Sequence, residues 1–425
     1  MAAANAARDG QTALALRLTK HLAPADAAGK NVAFSPVSKY GPALVSVHAG
    51  LALVAAGAGG ATQAQLLSFL GAPTADGLAA FGRHVSERVL ADRADSGGPR
   101  VLFGGGVWID QSRGGLKKEF QDIAAKSYRS EARTVSFTEE PEEAVEMINS
   151  WVKKATNNLI DSMISCSDIT ADTDLVLANA VYFKGSWLDP FNFCHTSPGK
   201  FHRLDGSHVG PSFMSKLKTM YISCMDGFKV LKLPYAKHGH SASEYIEGTS
   251  YKIHRGPRAT SVKSGNATQF SMFVFLPDKR DGISTMVDLI TSAPGYLYSV
   301  LPTETELVSL EVPKLEISFD WNLGKDLRQL GLTLPFSTEA GDLRGMYKND
   351  DGRPTFLTKV AHKAVIKVNE EGTEAAAVMT SLRGGGGPPP DMVKFVADHP
   401  FTFMIMEERS GVIVFAGHVL DPTCK

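Results

Sequence analysis

The chain has 425 residues, 43% of them hydrophobic and 21% charged, which is enough apolar material for a large buried core and enough charge to stay in water. Lys and Arg number 44 against 45 Asp and Glu, so the formal net charge of -1 leaves no basic excess for nucleic acid or an anionic membrane. Cys166, Cys194, Cys224 and Cys424 are widely spaced, form no C-x-x-C or Cys/His metal pattern, and read as free thiols of a reducing compartment. No metal or cofactor is implied.

Arg8, Asp9, Arg17 and Lys20 interrupt the apolar residues of the amino-terminal stretch, so no secretory signal is visible there. The expected compartment is the cytoplasm, with leaderless export as the alternative. Gln11 to Leu22 is amphipathic with helical spacing, and Ser35-Pro36 reads as a helix start. Tyr40 to Ala64 is the most apolar stretch, but its Gly, Ser, Thr and His make it a buried helix rather than a membrane span. Thr62 to Leu70 is a helix ending at Gly71. A strand over Val101 to Ile109 follows, then helices over Lys117 to Tyr128 and Pro141 to Leu159.

Beyond residue 170 strands dominate. Leu175 to Phe183, Phe228 to Leu233, Phe270 to Leu276, Leu307 to Val312, Lys363 to Val368, Phe401 to Met406 and Val412 to His418 are β-branched or aromatic-rich and bounded by Gly or Pro. Helices first and strands later, without βαβ alternation, predict an α+β fold with antiparallel or mixed sheets. Two segments interrupt the pattern. The 33 residues from Ala236 to Thr268 are rich in Ser, Gly, Thr and His and read first as a disordered insertion, with a functional appendage as the alternative, since compact domains seldom carry structureless loops beyond about 15 residues. Gly384 to Gly387 followed by Pro388 to Pro390 must be exposed loop.

Enzyme signatures are missing: there is no G-x-S-x-G, H-E-x-x-H or G-x-x-x-x-G-K-[ST], and Gly104 to Gly106 is only a weak glycine-rich match. A different set of blocks stands out. Asn31-Val-Ala-Phe-Ser35-Pro36-Val-Ser38, Leu177-Ala-Asn179-Ala-Val-Tyr-Phe-Lys-Gly185-Ser-Trp187, Gly331-Leu-Thr-Leu-Pro335-Phe336, the run from His362 through Gly372 to Ala377, and His399-Pro400-Phe401 resemble the serpin family in order along the chain. Ile148 to Asn157, Val230 to Tyr235 and Phe395 to Pro400 resemble its plant branch. The resemblance implies one domain over residues 1–425, with three β-sheets, about eight or nine helices and an exposed reactive loop over about 370–394. It also implies a monomer with a loop–sheet polymerisation hazard and an inhibitor rather than an enzyme. The segment from Ala236 departs from the plant branch, where a much shorter turn joins the two strands.

In that family the loop is bait, and after cleavage its amino-terminal part inserts as a new strand of the main sheet and carries the acylated peptidase with it. The hinge, Glu370, Glu371, Gly372, Thr373, Glu374, Ala375, Ala376, Ala377 and Val378, suits that motion. Thr373, Ala375, Ala377 and Met379 form an uncharged period-2 face that can enter a sheet, with Glu374 on the other face. Taken without the family pattern, the same stretch also reads as a short surface helix, because Ala favours helix and Thr373 could cap it.

Arg383 is the specificity anchor and Arg383–Gly384 the expected scissile bond, since a guanidinium pairs with the carboxylate at the base of a trypsin-like pocket. Arg383 stands eleven positions after Gly372, whereas the family's count of fourteen falls on Gly386 and makes Gly386–Gly387 the second choice. The implied partners are a trypsin-like serine peptidase or an arginine-specific cysteine peptidase, both of which pass through an acyl intermediate. The shorter tether favours, as the alternative, a chain cut as a substrate, or a non-inhibitory binding module that docks through Pro388 to Pro390. Ser35, Ser38, Asn179 and His362 match the family's polar cluster beneath the opening sheet, and Trp187 matches the aromatic at its top.

Overall fold

The computed structural model describes residues 2–23, 44–170, 172–236, 268–348, 352–371 and 392–423. Ser35 and Ser38, nearly all of the Ala236 to Thr268 segment, the hinge from Gly372 onward and both candidate scissile bonds lie outside the described residues.

The main sheet has five strands in the order Leu315–Asn322, Lys359–Val368, Leu175–Lys184, Arg100–Asp110, Ser130–Val135. Its pairings alternate antiparallel, parallel, antiparallel, parallel. Leu175–Lys184 is apolar without alternation because both its faces are covered. Leu175, Leu177, Val181 and Phe183 join the main core, while Val176, Ala178, Ala180 and Tyr182 join a second apolar cluster beneath the helix Pro141–Ala155. That helix opens on Pro141 with Glu142 and Glu143 in its first turn and closes on Lys153 and Lys154, charges that suit its dipole. Expected to reach Leu159, it stops at Ala155, and Asn157 and Asn158 take left-handed backbone at φ 50° and 61°.

A second sheet of eight strands follows the order Val393–Val396, Thr305–Pro313, Ser212–Met225, Phe228–Pro234, Phe270–Pro277, Phe401–Glu407, Val412–Val419, with Thr196–Pro198 paired on Ser212–Met225. A two-stranded ribbon pairs Phe201–His202 with His208–Val209. Three sheets and nine α-helices among the described residues give the expected α+β architecture. The helix Leu44–Gly57 is buried on nearly every side, which is why the stretch has no polar face to read. No helix among the described residues is long and apolar enough to cross a membrane.

The segment expected as an insertion departs from a hairpin that closes without it. Phe228–Pro234 and Phe270–Pro277 pair from Phe228 opposite Pro277 to Pro234 opposite Ser271, and the Tyr235 amide still donates to the Phe270 carbonyl at 3.0 Å. Lengthening a turn of three residues to 33 costs only about 2 kcal/mol in closure entropy, because that cost grows with the logarithm of length.

Three histidines are buried where charge is unwelcome. Burial pulls His48 and His418 down to about 4 and His362 to about 3. His418 lies 2.9 Å from Thr402 Oγ1 through Nδ1 and 2.9 Å from the Thr19 carbonyl through Nε2; the carbonyl contact favours the charged ring, and burial outweighs it. A histidine whose folded pKa lies below its unfolded value of about 6.5 binds more protons unfolded, so its contribution to stability is present above that value and lost as pH falls toward 3. Thermal unfolding followed by circular dichroism is expected to give a Tm that drops steeply between pH 6.5 and pH 4. A flat profile across that window would contradict the burial of the three imidazoles.

Candidate functional site

The seam of the main sheet lies between Lys359–Val368 and Leu175–Lys184. These strands run parallel, in register from Lys359 opposite Val176 to Ile366 opposite Phe183. His362 stands opposite Asn179, and both are buried. Two of the four expected cluster residues are thus brought together; Ser35 and Ser38 lie outside the described residues. The helix Leu44–Gly57 crosses directly over this pair. A Cβ at Gly50 would lie 2.6 Å from Asn179 Nδ2, so only glycine permits the approach. Among the described residues neither Oδ1 nor Nδ2 of Asn179 has a hydrogen-bond partner, and burial holds the imidazole of His362 neutral. The centre of the seam therefore carries two buried polar side chains facing each other within a continuous strand register.

At the top of the seam the strand Lys359–Val368 ends, and Asn369, Glu370 and Glu371 form the base of the hinge. Three consecutive carbonyls are held there. Trp187 Nε1 donates to the Asn369 carbonyl at 3.0 Å, the Phe191 amide to the Glu370 carbonyl at 2.7 Å, and the Trp187 amide to the Glu371 carbonyl at 2.9 Å. Trp187 is stacked on Tyr235 with ring centroids 4.6 Å apart and planes 16° from parallel. Such a pair contributes about 0.5–1.5 kcal/mol beyond its burial. Trp187 thus lies where the strand Lys359–Val368 ends and bonds the Asn369 and Glu371 carbonyls directly.

Glu370 points inward rather than to solvent. Its Oε1 accepts from Thr196 Oγ1 at 2.8 Å, and Lys314 Nζ lies 3.1 Å from Oε1 and 2.9 Å from Oε2. Burial pushes its carboxyl up, but the Lys314 and Thr196 hydrogen bonds outweigh that, and the group sits below the ordinary glutamate range. The last described residues before Gly372 are therefore held by an ion pair and hydrogen bonds. Glu371 is half-buried, and its amide donates to Asn369 Oδ1 at 3.1 Å.

The outer face of the seam is covered by the segment that joins the helix Pro141–Ala155 to Leu175–Lys184. Ile160, Met163, Ile164 and Ile169 pack in the second cluster with Val176 and Ala178 from one side of the seam and Ala361 and Val365 from the other. Polar ties fix the cover in place. Asn149 Oδ1 accepts from the Met163 and Ile164 amides at 2.8 and 3.2 Å, Lys359 pairs with Asp168, and Lys363 Nζ donates to the Ser162 carbonyl at 3.0 Å.

Phe191, Thr196, Lys314 and Gly50 escaped the sequence reading. Thr196 and Lys314 lie on or beside strands of the second sheet, far from Glu370 in sequence, and a short Thr and a Lys after Pro313 look like surface residues until the chain is folded. Tyr235 was visible only as part of a plant-type block. Cys166, Cys194 and Cys224 are exposed thiols, none of them part of the hinge anchor. Among the described residues no group of His, Cys, Asp and Glu is arranged to hold a metal ion.

Comparison with known proteins agrees with this geometry. The family model described as Serpin (serine protease inhibitor) matches residues 9–246 and 249–422, and the break falls inside the segment from Ala236 to Thr268. Serpin-ZXA of Oryza sativa subsp. japonica is 42% identical over 421 residues, covering 97% of this chain and 96% of the rice protein. Serpin-Z2B of Triticum aestivum is 38% identical over 417 residues, covering 97% and 95%. The solved structure of Arabidopsis AtSerpin1 in its native stressed conformation superposes with a TM-score of 0.81 at 34% identity, covering 98% of each chain. With the family model spanning the chain and plant relatives matching it end to end, the chain belongs to the serpins, the serine protease inhibitor family, in their plant branch.

Proposed function

We propose that this serpin is a suicide substrate for a trypsin-like serine peptidase, or for an arginine-specific cysteine peptidase, that cuts Arg383–Gly384. The acyl-enzyme is then trapped as the hinge enters the seam. The observation that carries this reading is the parallel pair at the seam. A chain that turns back after Glu371 and runs between Lys359–Val368 and Leu175–Lys184 would lie antiparallel to both. One parallel pairing is thereby exchanged for two antiparallel ones, each somewhat more stable per residue.

Insertion needs the seam to widen by one strand spacing, about 4.8 Å. The polar pair His362 and Asn179 at its centre supports that opening, because polar side chains freed by it can hydrogen-bond to an entering backbone. The small, uncharged face of Thr373, Ala375 and Ala377 supports entry of the new strand.

A second reading rests on one count. The eleven residues from Gly372 to Arg383 span about 36 Å when extended, little more than the ten-residue strand Leu175–Lys184 at about 33 Å. A family-length tether would add about 10 Å. A peptidase drawn by the short tether arrives at the far end of the sheet with almost no excess pull, and deacylation then competes with trapping. On this reading the chain is cleaved as a substrate.

Incubation with trypsin separates the two. Trapping gives a complex that survives boiling in detergent, and the substrate reading gives clean cleavage without it; in both cases mass spectrometry of the carboxy-terminal fragment should find Gly384 first. A start elsewhere rejects the Arg383 assignment. Thr373→Arg should leave cleavage unchanged and abolish the complex, because insertion would bury an unpaired guanidinium; complex formation at the wild-type level would refute insertion.

The anchor can be tested without a peptidase. Lys314→Ala leaves the buried Glu370 carboxylate without its cation, with Thr196 and a backbone amide as partners, and should cost about 1–3 kcal/mol at pH 7. Because the Glu370 pKa is depressed in the folded chain, the ion pair's contribution is present above the unfolded glutamate value of about 4.3 and fades as pH falls through the folded one. The Tm gap between variant and parent should therefore narrow on acidification, and a gap independent of pH would show that Lys314 acts through packing alone.

A further inference from the structure

The outer face of the second sheet carries large apolar side chains in the open. Leu217 is the most exposed large hydrophobic residue among the described ones at 57%, and Tyr221 follows on the same strand at 40%. Strand register explains why both face out. Lys218, Lys216 and Met214 stand opposite Val308, Leu310 and Val312, all three of which are buried, so the even-numbered residues share the covered face, with Lys218 reaching past its edge to Asp189 and staying exposed. Leu217, Thr219 and Tyr221 alternate to the solvent face opposite Ser309, Leu307 and Thr305. Val393–Val396 extends that face in parallel register, with Lys394 beside Ser309 and exposed. Lys232 lies over the Tyr221 ring at 4.9 Å, and its charge is taken by Glu408 at 2.6 Å. Lys394 therefore supplies the exposed positive charge next to an apolar strip of Leu217, Leu307 and Tyr221.

Chain connectivity says what can cover this face. Val393 is the point at which the chain re-enters the sheet after the bait loop, ten residues beyond Arg383. Ten extended residues span at most about 33 Å, and Leu217 lies two strands from Lys394, about 10 Å. A peptidase domain is about 40 Å across. Any peptidase engaged at Arg383 is thus brought within reach of the strip by the loop itself.

Resting on the assignment of Arg383 as bait, we infer that the face formed by Leu217, Tyr221, Leu307 and Lys394 is a second contact surface for the attacking trypsin-like peptidase. It fits an apolar patch on that enzyme with an acidic edge toward Lys394. The contact forms before the bond is cut, so it acts on the rate at which the bait is attacked whether or not trapping follows.

The test measures cleavage of Arg383–Gly384 in the full chain by trypsin at substrate concentrations below KM. Leu217→Ala combined with Tyr221→Ala is expected to lower kcat/KM about tenfold with the Tm unchanged, as truncation of contact anchors does. Lys394→Glu should lower it further at low salt and lose that effect at high salt. Leu159→Ala, which removes a comparably exposed side chain at 45% elsewhere, should change nothing.

Wild-type rates in the double variant would overturn the inference, as would an equal loss in Leu159→Ala. Leu217→Lys keeps the strand's solvent face polar and foldable, and its cleavage rate decides the matter in the same way if the double variant proves unstable. A concentration-dependent mass in solution that Leu217→Lys abolishes would assign the face to a second copy of the chain and reject the peptidase contact. Protection of Tyr221 from oxidative footprinting in the free protein would assign it to residues 237–267 and reject it likewise. If trypsin does not cut wild-type chain at Arg383–Gly384 at all, the bait assignment itself falls and this inference with it, a result distinct from an intact rate in the variants.

Discussion

The parallel pairing of Lys359–Val368 with Leu175–Lys184 is the constraint on which the rest depends. Two parallel neighbours with the hinge leaving the end of one of them are a sheet with room, in its hydrogen-bonding logic, for one antiparallel strand between them. Everything around the seam can be understood as holding that pairing in place. The helix Leu44–Gly57 presses on it from one side through Gly50, the Met163 to Ile169 segment covers it from the other, and Trp187 and Lys314 tie down the carbonyls and carboxylate at its top.

These restraints differ in chemistry, and the difference bears on how the seam could part. The cover is mostly apolar, with Lys359 and Lys363 as polar ties, so lifting it exposes surface at about 25 cal/mol per Å². The hinge anchor is mostly polar, and its backbone hydrogen bonds can be exchanged for water at a net cost of about 1 kcal/mol each. The centre is polar too, a buried neutral imidazole opposite a buried amide. An opening that begins at the top and runs toward the middle meets the weaker restraints first.

Much of this was legible in the amino-acid order. Most strands with dense β-branched or aromatic residues fell within one or two positions of their observed ends, as with Val101 to Ile109 against Arg100–Asp110 and Phe401 to Met406 against Phe401–Glu407, but the seam strand expected from Lys363 begins four residues earlier, at Lys359. Ser212–Met225 escaped because its outward face mixes Leu217 and Tyr221 with Thr219 while its inward face carries Lys216 and Lys218, which satisfy Asp189 at 2.6 and 2.8 Å; neither face reads as apolar. Ser130–Val135 escaped as an edge strand bearing Glu131 and Arg133, the polar composition that protects edges. At the site, Asn179, His362 and Trp187 were visible through the blocks that contain them. Thr196 and Lys314 were not, because a buried carboxylate recruits its partners through tertiary structure and leaves no spacing rule in the chain.

The root of the long hairpin excursion has a mechanical side. Tyr235 is the last strand-paired residue before it, the Ala236 amide donates to the Ser186 carbonyl at 2.7 Å, and Gln269 Nε2 returns to the Tyr235 carbonyl at 3.2 Å. Ser186 adjoins Trp187 in the chain, and Tyr235 is the ring on which Trp187 rests. The two residues that root the excursion, Tyr235 and Ala236, are thus bound to the same Ser186–Trp187 corner that holds the Asn369 carbonyl, so the hairpin root and the hinge base share one support.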